Sequence, residues 1–236
     1  MGIYHIGVAS CIKDHASRWL KSLDHLYGCS AGSLIAAALL TDFPLDEATK
    51  FCTDLAEHAY KRPLGPFHPR FHLEKILRKS VEKMLPDDIH LVASGRLSIS
   101  MTRVKDRKNV IVSEYPTRKD FIDALMCSSF VPFYSGVVPP TFLNTAYVDG
   151  GLSDNLPGNE LSTVTVSPFS GISSISPKDK SFSAGHVYLS NNSFDITLEN
   201  MNRLASAFLP PKSEDLINLC RTGYYDAFEF LRQVYG

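Results

Sequence analysis

Five residues, Gly28-Cys29-Ser30-Ala31-Gly32, join a short apolar stretch at residues 23–27 to a run over residues 34–40 that is apolar on every face. A G-x-S-x-G in that setting reads as a strand, a sharp turn and a buried helix. The serine hydroxyl is lifted out at the turn, and glycines stand where side chains would clash. The Ala31 N–H then lies at a helix N-terminus, facing a point where an oxyanion would form. A plain helix cap is the competing reading, with Ser30 capping the helix at Ala31. The flanking segments favour a nucleophile.

The remaining pattern alternates between helical and extended segments. Helical spacing covers residues 3–15, a segment opened by Pro44, and residues 73–84. Leu97, Ile99 and Met101 alternate with Ser98, Ser100 and Thr102, predicting a half-buried strand over residues 96–103 with a hairpin partner at 110–112. A helix follows at 120–127. A Pro- and aromatic-rich loop at 130–142 leads to a strand at 146–148. Further strands are predicted at 163–166 and 187–189, and terminal helices at 196–209 and 213–234. Strands interleaved with helices imply an α/β layer structure with a largely parallel sheet.

Composition narrows the function classes. The 236 residues are 44% hydrophobic and 21% charged, which suits one large globular domain, or one domain with a short extension. A net charge of −1 provides no basic field, so nucleic acid is not the expected partner. The longest strongly apolar run, residues 34–40, is far short of the roughly 18–20 residues that span a bilayer. Cys11, Cys29, Cys52, Cys127 and Cys220 are odd in number and form no C-x-x-C. Neither disulfides nor a zinc site is predicted, and a reducing, cytoplasmic setting fits best.

Asp149-Gly150-Gly151, at the end of a predicted strand, is the second chemical signal. Functional groups in open α/β sheets gather at the carboxyl ends of strands. Standing alone, the motif would be an ordinary Asp-Gly turn. A triad in the order Ser30, Asp149, His186 is the third idea, but His186 directly precedes an apolar triplet and reads as a strand start.

Several stretches taken together make the chain resemble the patatin-like phospholipase family, in its adipose triglyceride lipase and adiponutrin branch. They are Ile3-Tyr4-His5-Ile6-Gly7-Val8-Ala9-Ser10, Tyr27-Gly28-Cys29-Ser30-Ala31-Gly32, Gly65-Pro66-Phe67-His68-Pro69 and Ser94-Gly95-Arg96-Leu97. Val131-Pro132-Phe133-Tyr134-Ser135-Gly136, Tyr147-Val148-Asp149-Gly150-Gly151 with Ser153-Asp154-Asn155-Leu156-Pro157, and Ser167-Pro168-Phe169-Ser170-Gly171 complete the set. The resemblance implies a three-layer α/β sandwich with a mostly parallel central sheet. It implies a catalytic domain over residues 1–170, with residues 171–236 a C-terminal strand and helical extension packed on it. It also implies a Ser30–Asp149 dyad without histidine, acting on triacylglycerol or a similar neutral acyl ester at lipid droplets, with no metal or organic cofactor. The chain would be cytoplasmic, bound peripherally to droplets or membranes, with a protein co-activator as a further partner.

The family's glycine-rich oxyanion loop follows its first strand. Gly2 matches only the last glycine of that loop, so the first strand and the rest of the loop are expected to be absent. Ala31 then remains the main oxyanion donor, with Gly2 as a second. Losing one such donor typically costs about 10²–10³ in rate. The competing function is therefore a catalytically weak or silent isoform that binds a droplet or a co-activator. Phe130, Phe133, Tyr134 and Phe142 are candidates for contacting an acyl chain or droplet surface, although most of them are expected in the core.

Overall fold

A computed structural model of the chain describes residues 1–62, 65–68, 71–158, 163–179, 181, 183–209 and 211–235. In chain order the elements are α1 (Gly2–His15), α2 (Ser17–Ser22), β1 (Leu26–Cys29), α3 (Ala31–Leu40), α4 (Leu45–Tyr60), α5 (Leu73–Met84) and α6 (Ile89–Ala93). Then come β2 (Leu97–Arg103), β3 (Asn109–Val112), α7 (Arg118–Ser128), β4 (Thr141–Phe142) and β5 (Thr145–Asp149). The last are β6 (His186–Leu189), β7 (Asn192–Asp195), α8 (Leu198–Phe208) and α9 (Ser213–Tyr235). They fall into two compact units built from interleaved segments. One comprises Met1–Leu23, Pro44–Gly65 and Asn159–Gly236; the other comprises Asp24–Phe43 and Pro66–Gly158.

The first unit is centred on α1 against α9. Glycine makes the close approach possible. A Cβ at Gly7 would lie 1.9 Å from the Cys220 carbonyl oxygen, and one at Gly223 would lie 2.2 Å from that of Tyr4. Tyr4 is fully buried and its hydroxyl donates to Asp226 Oδ2 at 2.8 Å. Val8, Cys11, Ile12, Ile175, Ala227 and Leu231 pack around it. The helical spacing seen in the sequence at 3–15 is this buried stripe. The strand expected at 163–166 does not form. Val166 makes one isolated bridge to Ile175, and the regular extended pairing in this unit is the β6–β7 hairpin. The apolar residues at 187–189, too few to hold a sheet of their own, are exposed on that hairpin.

The second unit carries the central sheet, ordered β1-β2-β5-β4 with β3 also on β2. Helices flank it, as an α/β fold requires. Leu97, Ile99 and Met101 of β2, all fully buried, pack with Ala36 and Ala37 of α3, Ile89 of α6, and Phe121 and Leu125 of α7. The β1–β2 pair is parallel; the β2–β3, β2–β5 and β4–β5 pairs are antiparallel. The expected parallel arrangement is thus met at β1–β2, the pair that carries the elbow. Short connections account for the antiparallel β2–β3 and β4–β5 pairs. The turns at 104–108 and 143–144 are too short for the crossover that a parallel pair needs.

Buried polarity separates β2 from its predicted form. Ser98, Ser100 and Thr102, read as the wet side of a half-buried strand, are 6%, 0% and 5% exposed. Both faces of the strand are covered, and the polar one anchors the turn that follows Asp149.

Candidate active site

Ser30 stands between β1 and α3 with φ +52° and ψ −127°, a region that L residues rarely occupy. Gly28 lets the chain turn there, since a Cβ on it would lie 2.4 Å from the Ser33 Cα. The Ser30 side chain makes no capping hydrogen bond to α3. The Ser30 carbonyl instead accepts from the Ser33 hydroxyl at 2.7 Å and the Ser33 N–H at 3.0 Å. This argues against the cap reading of Ser30. At Gly32 a Cβ would meet nothing within 4 Å, so this side of the elbow is open. Ala31 is the first residue of α3, and its N–H precedes the first intrahelical carbonyl that such a donor could reach.

Register brings Asp149 to the elbow. Cys29, the last residue of β1, pairs with Ser100; Asp149, the last of β5, pairs with Met101 on the other side of β2. The two strands flanking β2 run in opposite directions and end at the same level of it. Asp149 is 6% exposed. Its Oδ1 accepts the Gly151 N–H at 2.8 Å and faces the Cys29 Sγ at 3.8 Å. Burial raises its carboxyl above the ordinary carboxylate range. Hydrogen bonds from the Ser30 side chain, the Gly151 N–H and the Cys29 thiol pull in the opposite direction without cancelling it. Burial and the Asp149 charge push the Cys29 thiol well above its usual value, so it stays a donor.

Both glycines after Asp149 are sterically specified. A Cβ on Gly150 would lie 2.3 Å from the Ser100 carbonyl oxygen, and one on Gly151 would lie 3.0 Å from Asp149 Oδ1. A polar lattice then fixes the turn to β2. The Thr102 hydroxyl donates to the Asp149 carbonyl at 2.8 Å and bonds the Ser153 hydroxyl at 2.7 Å. Asn109 Nδ2 donates to Ser100 Oγ at 2.7 Å and Ser153 Oγ at 3.0 Å.

The residue that sequence reasoning missed is Ser128. It is fully buried at the end of α7. Its hydroxyl accepts the Ser30 N–H at 2.9 Å and donates to the Ser100 carbonyl at 2.7 Å. One side chain thereby ties the strained elbow to β2. Nothing local marks it, because its partners lie 98 and 28 residues away in sequence.

The other predicted residues are placed as follows. Gly2 is the first residue of α1, in the first unit. His186 opens β6, as its strand-start reading requires, and its Nδ1 lies 2.5 Å from Asp195 Oδ1 across the hairpin. Phe130 and Phe142 are core, at 2% and 4% exposure, whereas Phe133 is 83% exposed. Tyr134 packs edge-on against Phe67. Among the described residues no group of three His, Cys, Asp or Glu side chains is arranged to hold a metal ion.

A strained serine beside a buried carboxyl on an α/β scaffold is the arrangement to set against known proteins. The chain matches the patatin-like phospholipase family over residues 1–161, and it belongs to that family. Its relatives lie in the branch that the sequence indicated. It is 47% identical over 234 residues to patatin-like phospholipase domain-containing protein 2 of Rattus norvegicus, covering 99% of this chain and 49% of that protein. It is 42% identical to 1-acylglycerol-3-phosphate O-acyltransferase PNPLA3 of Homo sapiens, at 99% and 49% coverage. It is 41% identical to patatin-like phospholipase domain-containing protein 5 of Mus musculus, at 99% and 54% coverage. The chain spans about half the length of these relatives. The names of these relatives speak of a phospholipase domain and of acyl transfer to 1-acylglycerol-3-phosphate.

Proposed function

We propose that the chain is a serine acyl-ester hydrolase of neutral lipids such as triacylglycerol, working through a Ser30–Asp149 dyad at the surface of lipid droplets. The observation that carries this reading is the strained Ser30 elbow, whose neighbour Cys29 meets the buried Asp149 carboxyl at 3.8 Å. In the first step Ser30 Oγ bonds to the ester carbonyl carbon while its proton passes to Asp149. The Ala31 N–H stabilises the oxyanion. Collapse expels the glyceride alkoxide, which takes the proton from Asp149. Water then attacks the acyl-Ser30 ester with Asp149 again as base, releasing fatty acid. A carboxyl whose pKa is raised is a stronger base than a free one, which suits this role.

A second reading keeps the acyl-Ser30 intermediate and changes the acceptor. The name of the acyltransferase relative favours a glycerophosphate hydroxyl in place of water. A co-activator protein is the further partner proposed. No helix among the described residues is long and apolar enough to cross a membrane, so contact with lipid is assigned to the surface.

The test is release of fatty acid from emulsified triolein, with Ser30→Ala as the blank and 1-acylglycerol-3-phosphate added in a parallel assay. Release lost in the variant supports hydrolysis. A new diacyl product in the parallel assay, lost in the same variant, supports transfer. A folded chain giving neither is a silent binding isoform.

A further inference from the structure

Between Asp123 and Asp149 the chain carries no charged residue, and the middle of that stretch is displayed to solvent. Phe133, Val137 and Val138 are 83%, 79% and 83% exposed. The loop is held in this form. Phe133 has φ +67°, and its N–H donates to the Gly136 carbonyl at 2.8 Å. The Ser135 N–H donates to the Val131 carbonyl at 2.8 Å, and the buried Ser135 Oγ accepts the Val131 N–H at 3.1 Å. Its root is the buried Phe130, whose carbonyl accepts the Asp149 N–H at 2.8 Å. Pro132, Pro139 and Pro140 have no N–H to offer. The tip therefore presents large apolar side chains and few hydrogen-bonding groups, which suits acyl chains better than a protein partner.

Beside the tip lies a cleft of about 510 Å³ whose lining includes Val138, Pro139, Lys75, Arg78 and Lys119. Two carboxylates share it. Arg78 donates to Glu74 at 2.8 Å and to Asp123 at 2.7 Å, and Lys119 Nζ lies 2.5 Å from Asp123. Three cations against two carboxylates leave the cleft positive. Among the described residues Lys75 has no carboxylate partner.

We infer that this face docks on an anionic glycerophospholipid bilayer, with Phe133, Val137 and Val138 entering the acyl region and the cleft cations meeting lipid phosphate. The complementarity is twofold, apolar tip to hydrocarbon and basic cleft to headgroup. The inference rests on the proposed lipid chemistry only for the purpose of docking, since binding does not require Ser30.

The experiment is co-sedimentation with vesicles of phosphatidylcholine alone or mixed with phosphatidylserine. The wild-type chain is expected to favour the anionic vesicles, with binding that weakens as salt rises. Val137→Asp with Val138→Asp should weaken binding at least tenfold. Phe133→Gly should weaken it too, while suiting the positive φ, so misfolding would not explain the loss. Lys75→Glu should remove the preference for anionic vesicles. Equal binding of wild type to both vesicle types, or unchanged binding by the loop variants, overturns the proposal. Turnover of a water-soluble short-chain ester separates the two readings. Loop variants that turn it over normally but bind vesicles poorly support docking. A wild type that binds but turns over no ester refutes the hydrolase reading and leaves docking standing.

Discussion

Ser30 is held in an unfavourable backbone conformation by contacts that can be removed one at a time. Ser128→Ala leaves the Ser30 N–H and the Ser100 carbonyl without their hydroxyl partner, a loss of about 1–3 kcal/mol for a buried polar group. Part of that loss falls on elbow geometry. Turnover of a soluble ester is expected to drop roughly tenfold or more, chiefly in kcat, with the melting temperature lowered. Ser128→Thr, which keeps the hydroxyl, should recover part of the activity. Asp149 poses the opposite case. Its folded pKa is raised, so the folded state binds the proton more tightly than the unfolded one. Ionising the buried carboxyl therefore costs stability as pH rises from the unfolded value through the folded one. Asp149→Asn is expected to abolish turnover yet melt higher than wild type at neutral pH. The difference should shrink toward pH 4, and thermal scans across that range would measure it. If Asp149 is the proposed base, the same titration makes wild-type activity rise with pH, because only the carboxylate can accept the Ser30 proton.

Whole elements depend on glycine where two backbones nearly touch. In α1, Gly7→Ala should raise helix propensity by about 1 kcal/mol if propensity decided the outcome. The added Cβ would instead strike the Cys220 carbonyl, forcing α1 from α9. Overpacking of this kind costs about 1–3 kcal/mol. The variant is therefore expected to unfold at lower urea concentration than wild type, and a higher midpoint would refute the argument. The elements also explain what was legible in the sequence. Helices α1, α4, α5, α7 and α9 were readable because their apolar spacing is local. Ser30 and Asp149 stood out because each lies in a short motif at an element boundary. The burial of Ser98, Ser100 and Thr102 was not, because period-two alternation reports side-chain polarity and says nothing about what covers the second face. Ser128 was hidden for a related reason, since only tertiary pairing gives it partners. The strand expected at 163–166 had apolar and β-branched residues but, among the described residues, only an isolated bridge from Val166 to Ile175.

The molecule joins its two chain ends in one unit and threads the site through the other. α9 covers Tyr4, Val8 and Cys11 of α1, so a chain ending before residue 213 would leave those side chains in water. Such a truncation is expected to bind a hydrophobic dye strongly and to aggregate, as gel filtration would reveal. The site itself has a history in time as well as a place in space. Cys29 and Asp149 meet across 120 residues of sequence, and β1 finds its parallel partner only after four intervening helices have been made. Contacts so distant close slowly and late. During synthesis Ser30 leaves the ribosome long before Asp149 is made. On the proposed function, esterolytic power would be withheld from the nascent chain until these distant contacts close, which would limit stray attack on lipid by half-made copies.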